Sequence, residues 1–244
     1  MKALLLNSGI GSRMGELTKN APKCMCPIGE GYTIIRWQLE LLWKAGIRDV
    51  VITTGPFAEM LESYVRECEP EMRFTFVPNP IYDKTNYIWS MRLAEDALRG
   101  EDVLLLHGDL VLEPGVIEDL IAAENNVIAC DATLPLPEKD FKAKITDGRV
   151  RAVGIHYFGE DCEACQAAYK WKAADFARWM GSIISFCEAG NVKVYAEEAF
   201  NQISDTLCLY PLEMIGRLCA EIDNSEDHAM VSKRFRKIQE MLKS

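Results

Sequence analysis

The stretch LLLNSGIGSRMGELTKNAPKCMCPIG, residues 4–29, sets the reading of the whole chain. An apolar run breaks into a loop that holds Gly9, Gly11 and Gly15, a single arginine, Arg13, and then the pair Pro22-Lys23. A strand that runs through a glycine loop into a helix start turns backbone N–H groups toward an anion. Glycine permits the positive φ and the close approach that such a loop needs. The Gly-Lys-Ser/Thr ending of a Walker A loop is missing, and the glycine spacing is not that of the dinucleotide fingerprint. Arg13 offers a planar fork to phosphate oxygens and Lys23 a mobile point charge. On residue type alone, a tight turn beside two solvated cations is an equal reading.

The 244 residues are 49% hydrophobic and 26% charged, enough to build a full core and too apolar for disorder. A formal net charge of −10 argues against DNA, RNA or an anionic membrane as partner. An anionic substrate must then be held by a few placed cations and a metal ion. Nine cysteines are scattered along the chain. CEAC (Cys162, Cys165) and CMC (Cys24, Cys26) lack the second pair or histidines of a zinc set, so free thiols are expected. No apolar run reaches membrane-spanning length, and the opening residues are too short and glycine-rich for a secretory segment. A cytoplasmic protein with reduced thiols is the expectation.

Short apolar runs at 2–7, 49–55, 73–79, 101–110 and 126–131 alternate with helical patterns at 33–46, 57–68, 86–98 and 114–124. This rhythm predicts an α/β fold, a mainly parallel sheet with helices on both faces. After Asp131 the pattern changes. Residues 141–155 read as a hairpin turning at Asp147-Gly148. Residues 172–190 and 195–204 read as helices, 218–223 as a strand returning to the sheet, and 225–243 as a C-terminal helix. We expect one domain over 1–244, with a nucleotide-binding core at 1–131, an acceptor-binding elaboration at 132–217, and the returning strand and last helix at 218–244.

Asp109 follows a buried strand, where open α/β sheets put their ligands, and Asp223 follows the late strand. Either could simply cap a turn or helix. Converging, they would suit Mg²⁺, which takes hard oxygen ligands. The second half also gathers aromatics near acids: Tyr169 and Trp171, then Tyr195 with Glu197 and Glu198, then Glu221. Aromatic faces beside anions bind quaternary ammonium groups, although core packing would account for any one of these rings.

The opening motif resembles the signature of the sugar-phosphate nucleotidyltransferase superfamily, in which two alanines precede G-x-G-[ST]-R, then L-T and P-K. Gly9, Gly11, Ser12, Arg13, Leu17, Thr18, Pro22 and Lys23 match, and Asn7-Ser8 stand in place of the alanines. Nearly end to end, the chain is similar to the bacterial CTP:phosphocholine cytidylyltransferases, through YDKTNYIWSMRLA, YKW, YAEEAF and EIDNSEDH. The resemblance implies a Rossmann-like, three-layer nucleotidyltransferase fold with a mixed, mainly parallel central sheet. It implies CTP and phosphocholine as substrates, and a loop from Leu6 through Gly11 and Ser12 around the triphosphate. Asn79, Asn86 and Ser90 would lie near the nucleotide, and Asp109 and Asp223 would hold Mg²⁺. Tyr195 and Glu221 would form the choline site. Tyr169, Trp171 and Glu198 are further candidates there, with Phe141 or Trp171 replacing a tryptophan that residues 131–150 lack. A phosphate monoester is largely dianionic at neutral pH, its second pKa being about 6, so no general base is required. His107, His156 and His228 are accordingly expected to be structural or on the surface. An aminoalkyl phosphonate, phosphoethanolamine or sugar 1-phosphate acceptor stays open, as do a non-catalytic nucleotide sensor and a homodimer.

Overall fold

The computed structural model describes residues 1–243, apart from the side chains of Ser12, an expected nucleotide contact, and Glu16. Strand β1 (Lys2–Asn7) is buried from Ala3 onward. A short hairpin, β2 (Pro27–Gly29) and β3 (Tyr32–Thr33), leads into helix α1 (Ile34–Lys44). Thr33 caps that helix by accepting from the Arg36 N–H, the usual role of a threonine at this position. There follow β4 (Asp49–Thr54), α2 (Ala58–Cys68), β5 (Arg73–Pro78), α3 (Tyr87–Leu93) and α4 (Glu95–Leu98). Next come β6 (Val103–His107), β7 (Leu110–Leu112), α5 (Pro114–Ala122) and β8 (Asn126–Asp131). The second half holds β9 (Lys142–Thr146), β10 (Arg149–Gly154), β11 (Cys162–Trp171), α6 (Ala173–Glu188) and α7 (Ala196–Ile203). It ends with β12 (Leu209–Glu213), β13 (Cys219–Glu221) and α8 (Ser225–Lys243).

The main sheet runs β10-β9-β11-β6-β1-β4-β5, with β8 joined to β11 and β12 to β8. Strands β6, β1, β4 and β5 are parallel, and β11 is antiparallel to β6. Because helices cover both faces, the central strands read as unbroken apolar runs. Two apolar clusters fill the layers: one includes side chains of α1, α2, α5 and α8, the other of α3, α6 and α7. The expected three-layer α/β architecture is therefore present, and the hairpin at Asp147-Gly148 and the helix over 173–188 form as predicted.

Residues 218–223 do not return to the main sheet. Only Cys219–Glu221 is a strand, and it pairs with β7 in a separate two-stranded sheet, Glu221 opposite Leu110. The pattern also concealed β11, whose sequence CEACQAAYKW lacks alternation. Even Lys170 is buried there, its ammonium donating to the Ala123 carbonyl at 2.6 Å. The predicted helix at 86–98 is divided into α3 and α4.

The carboxyl ends of β1, β4 and β6 meet closely. At Gly108 an added Cβ would lie 1.9 Å from Asn7 Oδ1 and 2.7 Å from the Leu6 carbonyl, which already accepts the Gly108 N–H. No side chain can stand at this junction. Gly108→Ala is expected to cost about 1–3 kcal/mol by overpacking, read by calorimetry as a fall of roughly 2–10 °C in Tm; an unchanged Tm would refute this account of the junction.

Candidate active site

A cavity of about 460 Å³ opens where β1 and β6 end. The loop after β1 forms one side. Gly11 takes a left-handed φ of 68°, and its carbonyl accepts the Thr18 hydroxyl at 2.8 Å, which closes the loop on itself. Leu6, Asn7, Ser8, Gly9, Gly11 and Arg13 all reach the cavity, as do Lys23, Asn86 and Asp109. Asn79 and Ser90 do not. Both are buried behind the wall, where the Ser90 hydroxyl lies 2.6 Å from that of Ser8 and accepts from Asn79 Nδ2 at 3.0 Å. They hold Ser8 instead of lining the site. Asn86 caps α3, accepting the Tyr87 N–H at 2.7 Å.

The floor is a cluster of charges. Lys23 Nζ donates to Asp109 Oδ2 and to Asp223 Oδ1, each at 2.5 Å. The two carboxylate oxygens therefore lie no more than twice that distance apart. An Arg13 guanidinium nitrogen is 2.8 Å from Asp223 Oδ2. The small β7–β13 sheet makes this convergence possible. Its register ends in a bond from the Ile222 N–H to the Asp109 carbonyl at 3.1 Å, so Asp223 emerges beside Asp109. Burial pushes the Asp109 carboxyl up, but the Lys23 ammonium and the His107 ring together outweigh it, so Asp109 sits below the usual carboxylate range. Burial likewise lowers the Lys23 ammonium, and the two carboxylates more than reverse this. Asp109 Oδ1 is buried with no hydrogen-bond partner among the described residues. An orphaned hard oxygen next to a second carboxylate is a donor set that suits a divalent cation.

His107, expected to be structural or on the surface, lines this cavity. Its Nδ1 is 3.1 Å from Glu221 Oε1. Burial opposes a charge on the ring, but the Glu221 carboxylate outweighs it and raises the His107 pKa. Ligand atoms of His107, Asp109 and Glu221 all lie within 4.8 Å of one another.

Besides Tyr82, three rings that pack on one another line the same cavity. Tyr195 lies 5.8 Å from Tyr87 and 5.1 Å from Phe141, centroid to centroid, the Phe141 contact being edge-on. Tyr87 is also edge-on to His107 at 4.8 Å. Glu221, Asp83 and Asp140 bring carboxylates to the same cavity. The Tyr87 hydroxyl donates to Glu197, which is fully buried and accepts a second phenol, that of Tyr169, at 2.8 Å.

Three expected acceptor residues lie elsewhere. Trp171 is fully buried against Trp179, 5.0 Å away, in the core under α6. Tyr169 is two residues before it on β11 and faces the same core, since side chains repeat every second residue along a strand. Its phenol is linked to Tyr87 at the site through Glu197. Glu198 is exposed on α7. Of the two rings considered for the missing tryptophan, Phe141 is at the cavity and Trp171 is not. Sequence reasoning missed Tyr87, because an aromatic at a helix start reads as core, and missed His107 inside the apolar run LLLH.

The chain is 36% identical over 135 residues to the CMP-5'-(3-aminopropyl)phosphonate synthase of Streptomyces rubellomurinus, a match covering 55% of this chain and 21% of that protein. It is 25% identical to the choline-phosphate cytidylyltransferase of Streptococcus pneumoniae over 100% of this chain and 99% of that one. A solved structure of the CTP:phosphocholine cytidylyltransferase of Streptococcus pneumoniae superposes with a TM-score of 0.78 at 21% identity, covering 96% of this chain and 98% of the other. Among such curated relatives the covered share therefore varies widely, and of the Streptomyces protein the chain spans only about a fifth of the length. The model of the MobA-like NTP transferase domain matches residues 3–153, and the chain belongs to that family.

Proposed function

We propose that this chain is a cytidylyltransferase that transfers CMP from CTP to phosphocholine, giving CDP-choline and pyrophosphate. One observation carries the reading: the paired carboxylates and cations of the floor share a single cavity with three aromatic rings and Glu221. The floor suits a triphosphate, and the rings with their acid suit a quaternary ammonium. The names of the Streptomyces and Streptococcus relatives support a phosphorus-bearing acceptor with an amino or choline group.

In this reading an oxygen of the acceptor phosphate attacks the α-phosphorus. A P–O bond forms, the bond to the β-phosphate bridging oxygen breaks, and pyrophosphate leaves with that electron pair. The attacking group is already anionic at neutral pH, so no side chain need remove a proton. Arg13 and Lys23 orient the triphosphate and offset its charge. Asp109 and Asp223 would hold Mg²⁺, which supplies further neutralisation of the phosphate charge when bound. Tyr87, Phe141 and Tyr195 form the wall for the ammonium end, and Glu221 gives it a counter-charge.

A second reading is an acceptor with a primary ammonium, such as an aminoalkyl phosphonate. Asp83 and Asp140 favour it, because extra carboxylates at the cavity could accept its N–H donors. A sugar 1-phosphate would call for hydroxyl-binding side chains where the rings stand. Pyrophosphate release with CTP and a panel of acceptors tests these readings. Phosphocholine is expected to exceed 2-aminoethylphosphonate and phosphoethanolamine in kcat/KM by about tenfold or more, the scale of a desolvated cation–π contact. A reversed order selects the aminoalkyl acceptor, and tight CTP binding with no turnover selects a nucleotide sensor. Tyr195→Ala is expected to raise the KM for phosphocholine about tenfold while leaving that for CTP unchanged; an equal rise in both would refute the cage.

Asp109→Asn and Asp223→Asn are each expected to lower turnover by about a hundredfold or more in a folded protein, and normal rates would overturn the metal assignment. Lys23 gives a sharper test, since its ammonium competes with any divalent ion for the same two carboxylates. Lys23→Met is expected to lose turnover yet bind free Mn²⁺, followed by paramagnetic resonance, about tenfold more tightly than the parent chain, because Asp109 loses its ion-pair partner and Asp223 keeps only Arg13.

A further inference from the structure

Lys142 opens β9 and is 0% exposed. It is not among the residues that line the cavity. It donates to the Pro137 carbonyl at 2.6 Å and to the Ile155 carbonyl at 2.5 Å, and it lies 4.2 Å from the centroid of the Phe158 ring. It has no ion-pair partner among the described residues. Burying an ammonium on neutral partners is costly, and a methionine, one atom shorter and uncharged, would be desolvated there more cheaply. Burial lowers its pKa, with Asp140 opposing.

Its two carbonyl partners sit in different segments. Pro137 belongs to the connection between β8 and β9, which brings Asp140 and Phe141 to the cavity, and Ile155 follows β10 and lines the cavity itself. One ammonium thus fastens, from behind, both stretches that make this side of the acceptor wall. Phe141 immediately precedes it in the chain, so the lysine fixes the backbone from which that ring meets Tyr195. Phe158 is 57% exposed although it is a large apolar ring. Covering the ammonium accounts for its position.

We propose that Lys142 is a positioning residue for the acceptor wall, tying the 137–141 and 155–158 segments into one surface against which the ammonium end of the acceptor packs. This rests on the acceptor reading given above. The test compares Lys142→Met and Phe158→Leu with the parent chain in three measurements: KM for phosphocholine and for CTP, CTP affinity by calorimetry, and amide hydrogen exchange. Lys142→Met is expected to raise the phosphocholine KM about tenfold, as displacing a positioning group does. The KM and Kd for CTP should stay within about twofold, and exchange should quicken at 137–141 and 155–158 alone. Phe158→Leu, which keeps the lysine, should give the same pattern more weakly. Equal rises in both KM values, or exchange unchanged at the two segments in both variants, would overturn the proposal. If the parent chain does not turn over phosphocholine, the acceptor reading fails, and the exchange and CTP measurements still decide whether the lysine ties the segments.

Discussion

Everything at this site depends on one ammonium held between two carboxylates. Lys23 reaches Asp109, 86 positions along the chain, and Asp223, 200 positions along. Contacts of such separation form only when the whole topology is in place. An exposed ion pair is worth about 0–1 kcal/mol, whereas removing one member of a buried pair costs about 3–5 kcal/mol by stranding the other charge. The three side chains are only 15–20% exposed, so the cluster lies nearer the second case. The arrangement has the right composition to exchange partners. Two cations suited to phosphates are matched with two carboxylates suited to a divalent ion. A divalent ion arriving with the triphosphate would offset about half of its charge, leaving less for Arg13 and Lys23 to balance than the triphosphate alone would.

The loop half of the site was readable because its chemistry is local. A glycine loop after a strand, one arginine and one lysine occupy residues 9–23, and each has a physical reason to be there. Asp109 could be found for a similar reason, since a carboxylate after a buried strand stands where α/β sheets meet their ligands. Asp223 was found for a partly mistaken reason. The strand before it was expected in the main sheet, but it pairs with β7, and that small sheet is what delivers the carboxylate. Two residues expected against the nucleotide, Asn79 and Ser90, instead support Ser8 from within the core. Composition cannot separate a group that touches a ligand from one that holds the group that does.

The acceptor half was harder to read because β11 has no clear period. Without it, Tyr169 and Trp171 could not be assigned to a face, and both turn into the core under α6. The three rings that pack together at the cavity come from distant places: Tyr87 from the start of α3, Phe141 from the residue before β9, and Tyr195 from the residue before α7. Each sits at the end of an element, where side-chain direction is set by the tertiary path of the loop. Periodicity carries no information about that.

Buried polar groups give these loop-borne rings their rigidity, and the choice of partner matters. Glu197 is buried behind Tyr87 and Tyr169 and accepts from both phenols instead of pairing with a cation. Lys142 is buried behind Phe141 and donates to carbonyls instead of pairing with an acid. Had the two been ion-paired, each would have spent its charge locally. As built, the phenol of Tyr87 donates to a carboxylate, and in a low-dielectric interior a bond to an anion polarises the donor hydroxyl more than it would in water. Electron density moves toward the ring, and a ring richer in electrons attracts a cation more strongly. If the proposed acceptor is bound here, the bond that fixes the position of Tyr87 would also favour the ammonium group at its face.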